Sequence, residues 1–386
     1  MKPLSSLGSF TLLCISCLTI MVGAVVAPGL SDISQALGVA DNASLLVTIP
    51  ALGVVLFAPI SGRLIDRFGA YYCTLIALFL YGALGLSGQW LSGPTAVFAN
   101  RIILGATVAV IMAGGTTLIS QFYSGHARLT MIAKQGMAIE LGGVIFLFVG
   151  GFLATVGWNL PFLLYLMAWV FLAMLITLVP NNKPLHNEPE SAPTPTTKST
   201  SEPLRWVYIS ACVAMVLFFT SIIVLPLSME GSGYSADQVG MFLAFISLVA
   251  VVTAHFLPKI NLRWKDKGTL GFAFAFYALS HIAFYFGEAL PMLLLGGVFA
   301  GIGFGLSIPL FNHITIEKSD PRERGKNLSY LAMSVFLGQF LTSFMELFAA
   351  DLRSVYLVAA VLSVLYFICV LNVFKEPQAQ PKMNSL

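Results

Sequence analysis

The sequence predicts an all-α integral membrane protein with twelve transmembrane helices, arranged as two six-helix bundles related by pseudo-twofold symmetry. Three observations carry that prediction. Of 386 residues, 58% are hydrophobic and only 10% are charged, with a mean hydropathy of +0.88. That is more apolar surface than a soluble domain of this size can hide. Twelve apolar stretches are each long enough to cross roughly 30 Å of hydrocarbon as a helix. A single long polar stretch, residues 181–203, divides them six and six.

The stretches lie near 8–30, 44–64, 71–91, 95–122, 129–155 and 159–180 in the first half, and near 205–229, 238–258, 268–287, 290–314, 326–348 and 353–374 in the second. The first follows Lys2 and lacks a small-residue cleavage site, so it reads as a retained helix and not a removable signal peptide. No lipidation motif replaces it. The domain reading is residues 1–180 as one bundle, 181–204 as a cytoplasmic linker, 205–374 as the second bundle and 375–386 as a cytoplasmic tail. The linker is rich in Pro, Ser and Thr, a composition unable to bury a core.

Orientation follows from the basic residues. With a cytoplasmic amino terminus, 18 of the 20 Lys and Arg fall on the inner side and only Arg101 and Arg353 do not, the asymmetry that sets membrane topology. Asp41, Glu230, Asp237 and Glu288 then fall on outer loops or helix ends. The expected location is a bacterial inner membrane, with several passes and both termini cytoplasmic. The net charge of +3 reflects this topology and calls for no nucleic-acid partner.

Nothing in the chain points to bond-making chemistry. There is no His or Cys spacing for a metal, no phosphate-cradling loop and no nucleophile elbow, so no enzyme, cofactor or ATP-driven step is expected. Cys14 and Cys17 sit three apart in an apolar helix with no His nearby and read as small packing residues.

Basic residues recur at matching places in the halves. Arg63 and Arg67 between the second and third helices correspond to Lys259, Arg263, Lys265 and Lys267 between the eighth and ninth; Arg128 and Lys134 correspond to Arg322, Arg324 and Lys326. The halves read as weak repeats, the construction by which many secondary transporters form two states around one site.

One loop makes the resemblance specific. Gly62-Arg63-Leu64-Ile65-Asp66-Arg67-Phe68-Gly69 resembles the loop signature of the major facilitator superfamily, G-x-L-x-D-R-x-G followed by a basic pair. The resemblance implies that Gly62, Asp66, Arg67 and Gly69 form a cytoplasmic latch that helps hold the outward-open state. Asp66 would pair with a base or accept from a helix amino terminus across the halves, and the glycines would allow a tight turn and close approach. The basic pair is replaced by Ala70, Tyr71 and Tyr72, and the arginines also serve simply to anchor the loop.

Two further elements are weaker. Asn100-Arg101-Ile102-Ile103-Leu104-Gly105 is similar to the family's R-x-x-Q-G, with Leu104 for Gln. In the fifth helix, Phe146-Leu147-Phe148-Val149-Gly150-Gly151 keeps the paired glycines of the antiporters' G-P-x-x-G-G without its Gly-Pro. The resemblance falls closest to the bacterial drug and metabolite:proton antiporters, the multidrug efflux branch.

A proton-driven carrier needs a group whose pKa differs between its two exposures. Glu140, inside an otherwise apolar helix, is the candidate, with a carboxylate near the cytoplasmic interface as the bland alternative. Arg101 lies well inside the fourth helix and needs a partner or a polar cavity, unless it snorkels outward. Depth alone matches it to Asp32, after Pro28, so Asp32 and Arg101 are expected to pair while Glu140 titrates separately. For substrate binding the candidates are His281 and Tyr277 in the ninth helix, Asn312 after Pro309, Gln339 in the eleventh, and Phe218 and Phe304 from the aromatic set. His281 reads equally as a hydrogen-bonded packing residue. Sparse amides and abundant Phe favour an amphipathic substrate over a sugar.

The expected function is thus a secondary active transporter of a small organic molecule working by alternating access, proton-coupled and exporting. Its partners would be substrate, protons and membrane lipids, and the expected state is a monomer. An importer of an organic acid, amino acid or siderophore stands as the alternative, with a transporter-like receptor or a lipid-acting membrane enzyme further away.

Overall fold

The computed structural model describes residues 4–181, 204–287, 289–320 and 323–374. Most of the polar linker and the carboxyl-terminal tail lie outside the described residues. Among those described there is no strand. The first bundle comprises α1 (Ser6–Ala36), α2 (Ala40–Phe68), α3 (Ala70–Trp90), α4 (Pro94–Phe122), α5 (Gly125–Val156) and α6 (Leu160–Leu178).

The second bundle opens with α7 (Arg205–Gly231), followed by a continuous helical segment, Ala236–Phe286, of 51 residues. Straight, that segment would run about 75 Å at 1.5 Å per residue, more than twice the hydrocarbon thickness. It is broken at Lys265, whose φ of 57° and ψ of 177° are not helical. Residues 236–264 and 266–286 are therefore two passes, α8 and α9. Then come α10 (Leu290–Lys318), α11 (Arg324–Phe348) and α12 (Ser354–Val373). The eleven long apolar helices thus cross twelve times, six in each bundle.

The matching turn in the first half is built differently. Gly69, at φ 85°, donates its N–H to the Ile65 carbonyl at 2.8 Å and accepts from the Cys73 N–H at 3.2 Å. One residue therefore closes α2 and opens α3. A residue with a Cβ enters this left-handed region only at a cost.

Apolar side chains left uncovered, such as Ile76, Phe79, Phe148, Phe152, Leu365 and Ile368, lie on helix faces turned to lipid. In hydrocarbon they cost nothing, and helix association rests on close packing and buried hydrogen bonds. That explains why so much of this surface is hydrophobic and why the helices lack a polar outer face.

The halves meet tightly at one end, the end expected to face outward. A Cβ on Gly151 of α5 would lie 2.6 Å from the Ala236 carbonyl oxygen and 2.8 Å from the Gly240 Cα of α8, so these backbones touch because neither residue has a side chain. Thr155 and Asp237 exchange hydrogen bonds across the same pair of helices, at 3.0 and 3.3 Å. On the opposite flank the hydroxyls of Thr48 (α2) and Ser343 (α11) are hydrogen-bonded. Among the described residues, the hydrogen bonds found between the halves lie at this end. A small cavity of about 210 Å³ at this end is lined by Ser31, Asp41, Ser44, Leu227 and Glu346.

The opposite end is looser. Asp66 and Arg67 are exposed, and Asp66 makes no hydrogen bond or ion pair with any described residue. Arg67 lies over the ring of its neighbour Phe68 at 5.2 Å. The close approach expected at Gly62 is not made in this conformation, since a Cβ there would meet nothing within 4 Å. A cleft of about 470 Å³ opens between α1 and α5 at this end, lined by Ser6, Ser9, Phe10, Tyr123, Met131 and Lys134.

Candidate functional site

Among the described residues the most buried charged side chain is Arg101 on α4, 1% exposed. Its Nη1 donates to the Tyr165 hydroxyl at 2.9 Å, and that hydroxyl donates to the Val22 carbonyl of α1 at 3.0 Å. The guanidinium also faces the Phe162 ring at 5.4 Å and the Tyr165 ring at 6.0 Å, arrangements in which the ring quadrupole attracts a cation. Tyr81 packs against Tyr165 with ring centroids 5.4 Å apart and donates to the Leu18 carbonyl at 2.8 Å.

This corrects the expected pairing of Arg101 with Asp32. Asp32 is exposed on the outer arm of α1, near Ser31 and Glu230 of the seal, and forms no ion pair with Arg101. Matching two residues by depth fixes their height in the bilayer but not the direction in which each helix presents them. Arg101 faces inward within its own bundle, and a tyrosine takes the place of the expected carboxylate.

Val22 has a carbonyl to offer because α1 is broken there. In a regular helix it would accept from Val26, but the Val26 N–H bonds the Gly23 carbonyl at 3.1 Å instead. Two residues later Pro28 has no N–H for the Ala24 carbonyl. The helix resumes through a 3₁₀ turn, Ala27–Gly29, into Leu30–Ala36.

Glu140 on α5 is partly exposed, with no basic partner among the described residues. It lies near Tyr277 of the other half. Tyr277 is buried and shares a hydrogen bond of 3.1 Å with Ser307 of α10. Phe218 (α7) and Phe304 (α10) pack together with centroids 4.1 Å apart. Gln339 of α11 reaches toward the α1 break, its Nε2 3.9 Å from where a Cβ on Gly23 would stand. Glu140, Tyr277, Phe218, Phe304 and Gln339 thus share the middle of the molecule.

Two substrate candidates lie elsewhere. His281 is 0% exposed, holds the Leu217 carbonyl through Nε2 at 3.1 Å and stacks on Tyr356 at 6.2 Å. In this conformation its side chain is enclosed within the second bundle, with Nδ1 buried and without a hydrogen-bond partner among the described residues. Asn312 is exposed and bonds back to the Ile308 carbonyl at 3.1 Å.

Sequence reasoning missed the aromatic group at Arg101. Its signature was the glycine row in "YGALGLSG" of α3: Gly82, Gly85 and Gly88 face Trp169, Tyr165 and Phe162. It also passed over a buried polar knot in the first bundle, where Gln135 donates to Ser16 at 2.9 Å and meets Thr116 at 3.3 Å.

Two helical bundles in a membrane, sealed at one end and surrounding a mid-depth set of aromatic, amide and ionisable groups, define a carrier and not an enzyme. The chain belongs to the Major Facilitator Superfamily, whose family model matches residues 12–290 and 207–385. Among curated relatives it is 25% identical to the bacillibactin exporter of Bacillus subtilis over 315 residues, 76% of this chain and 77% of that one. It is 24% identical to the quinolone resistance protein NorA of Staphylococcus aureus over 249 residues, 64% of this chain and 60% of that one. Among solved structures, an inward-open form of the xylose transporter XylE from E. coli covers 97% of this chain at a TM-score of 0.73 and 18% identity, with 98% of that chain covered. The nucleoside transporter NupG covers 97% of this chain at a TM-score of 0.73 and 16% identity, with 100% of that chain covered. At such identities the structures speak for the fold alone.

Proposed function

We propose that this transporter exports a small, amphipathic organic molecule across a bacterial inner membrane by alternating access, driven by protons entering in exchange. Its termini and linker face the cytoplasm, and the sealed end faces outward, so the described conformation is inward-facing. The observation that carries export is the relation to the bacillibactin exporter over about three quarters of both chains. Importers share the same architecture, so the fold itself is neutral on direction.

Glu140 supports the coupling half of the reading. It is a carboxyl on a helix that forms the interface between the halves, without a base to fix its charge. Its exposure to the two sides would change as α5 moves against α8. Arg101 contributes a fixed positive charge in the same bundle, and Phe218, Phe304 and Tyr277 would offer apolar and hydroxyl contacts to substrate. Gly62, Asp66, Arg67 and Gly69 would engage when the seal opens.

The test is reconstituted protein challenged with a panel from lipophilic cations to siderophores, with pH recorded on both sides. Export coupled to inward proton movement is expected. Glu140→Gln should abolish the pH response and keep substrate counterflow. Full pH-driven transport by that variant would remove Glu140 from the coupling, and downhill flux indifferent to the proton gradient would remove proton coupling altogether.

A further inference from the structure

We propose that Tyr165 is a positioning residue whose hydroxyl ties the Arg101 guanidinium to the break in α1 and thereby fixes the outer arm of that helix, residues 27–36, in the seal. The inference does not depend on the direction of transport or on the coupling ion.

The hydroxyl occupies a three-point junction. It accepts from Arg101 at 2.9 Å and donates to Val22 at 3.0 Å. Both partners need it. Among the described residues Arg101 has no carboxylate to neutralise it, and its Nη2 is buried with no hydrogen-bond partner. The Val22 carbonyl has lost the amide that a regular helix would supply. In a medium without water each unmade bond of this kind is costly, and one phenol oxygen serves the Arg101 Nη1 and the Val22 carbonyl together.

The ring is held in place from behind. A Cβ on Gly85 would lie 2.1 Å from the Tyr165 ring, so the glycine provides the slot in which the ring stands. With the ring fixed, the hydroxyl fixes Val22, the last ordinary helical turn before the break. Beyond it the outer arm runs into the interface, where Ser31 and Asp32 lie beside Glu230 of α7. From the second bundle, Gln339 reaches Gly23 at the break itself. The break is a joint shared by both halves, and Tyr165 is the contact that holds one side of it still.

The experiment is thiol labelling of the full chain in detergent, with the five native cysteines replaced and Thr48→Cys as reporter. Thr48 is buried inside the seal, so maleimide reacts only when the seal opens. Tyr165→Phe should raise the labelling rate about tenfold, a shift of about 1.4 kcal/mol in the opening equilibrium. Arg101→Gln should raise it similarly, and the double variant should add nothing further. Tyr81→Phe removes a comparable buried hydroxyl that bonds α1 but not Arg101, and should leave the rate at the parent value. Should Tyr165→Phe fail to assemble, Gly85→Ala displaces the ring without removing its hydroxyl and must give the same rise. Parent-like labelling in Tyr165→Phe, multiplying effects in the double variant, or an equal rise in Tyr81→Phe would each overturn the assignment.

Discussion

The two ends of the molecule are held by opposite means. At the sealed end, backbones touch through Gly151 and Gly240, and hydroxyls bridge the halves at Thr48 with Ser343 and at Thr155 with Asp237. At the other end the charged loop of the first half stands in the open, with Asp66 unpaired among the described residues. Contacts of short reach, backbone against backbone and hydroxyl hydrogen bonds, one of them to the Asp237 carboxylate, hold the closed interface, while the charges that resemble a latch are idle. One end is closed by shape and the other is prepared to close by charge, a division suited to a cycle in which each contact must be broken once.

Filling the glycine crossing should have the largest effect. Gly151→Leu places a Cβ 2.6 Å from a backbone oxygen, and overpacking of this kind costs about 1–3 kcal/mol. The seal should be held open, with labelling at Thr48→Cys raised about ten- to a hundredfold and flux lost. Unchanged labelling would mean that the crossing is not the seat of closure.

The turns of the two halves sharpen the comparison. Gly69→Ala forces a side chain into the left-handed region that Gly69 occupies and should destabilise the protein by about 1–2 kcal/mol, read as a fall in Tm. Lys265 already sits there at φ 57°, so Lys265→Gly should stabilise by about 0.5 kcal/mol once the entropy of glycine is deducted. Equal losses from both substitutions would show that the second turn depends on the lysine side chain more than on its backbone.

Smaller still is the latch. Asp66→Asn removes a charge that has no partner among the described residues, so it should leave Tm unchanged. It should also lower labelling at Thr48→Cys about two- to threefold, by withdrawing a surface-strength ion pair, worth about 0.2–1 kcal/mol, from the state in which the seal is open. A rise would reverse the assignment of the loop to that state.

The smallest effect belongs to the rim. Asp351 accepts the Ser354 backbone N–H at 2.7 Å, and that bond, aided by the Ser354 hydroxyl, holds its carboxyl below the usual carboxylate range. A lowered pKa contributes stability at pH values above the ordinary range and loses it as the pH falls through the lowered value. Asp351→Asn should therefore flatten only the acid limb of a Tm-against-pH curve.

The architecture was legible because hydrophobic length and basic asymmetry are direct imprints of the bilayer. Even the turn at Lys265, a single non-helical residue inside an otherwise continuous helical segment, could be read from the charged cluster 259–267. What stayed hidden was azimuth. Arg101 was marked by its type and depth, but its partner was not, since neither says which way a helix is rotated. Tyr165 was overlooked because aromatic residues abound here, and only the glycine slot of Gly85 singles it out.

Arg101 also bears on electrical behaviour. A guanidinium whose partner is a neutral phenol keeps its full unit of charge, and the membrane potential acts on a unit charge with about 2.3 kcal/mol per 100 mV across the whole bilayer. If the first bundle tilts so that Arg101 moves through a tenth of that field, about 0.2 kcal/mol is exchanged with the potential in every cycle. The resting voltage of the cell would then bias which side of the membrane this carrier faces, before any substrate arrives.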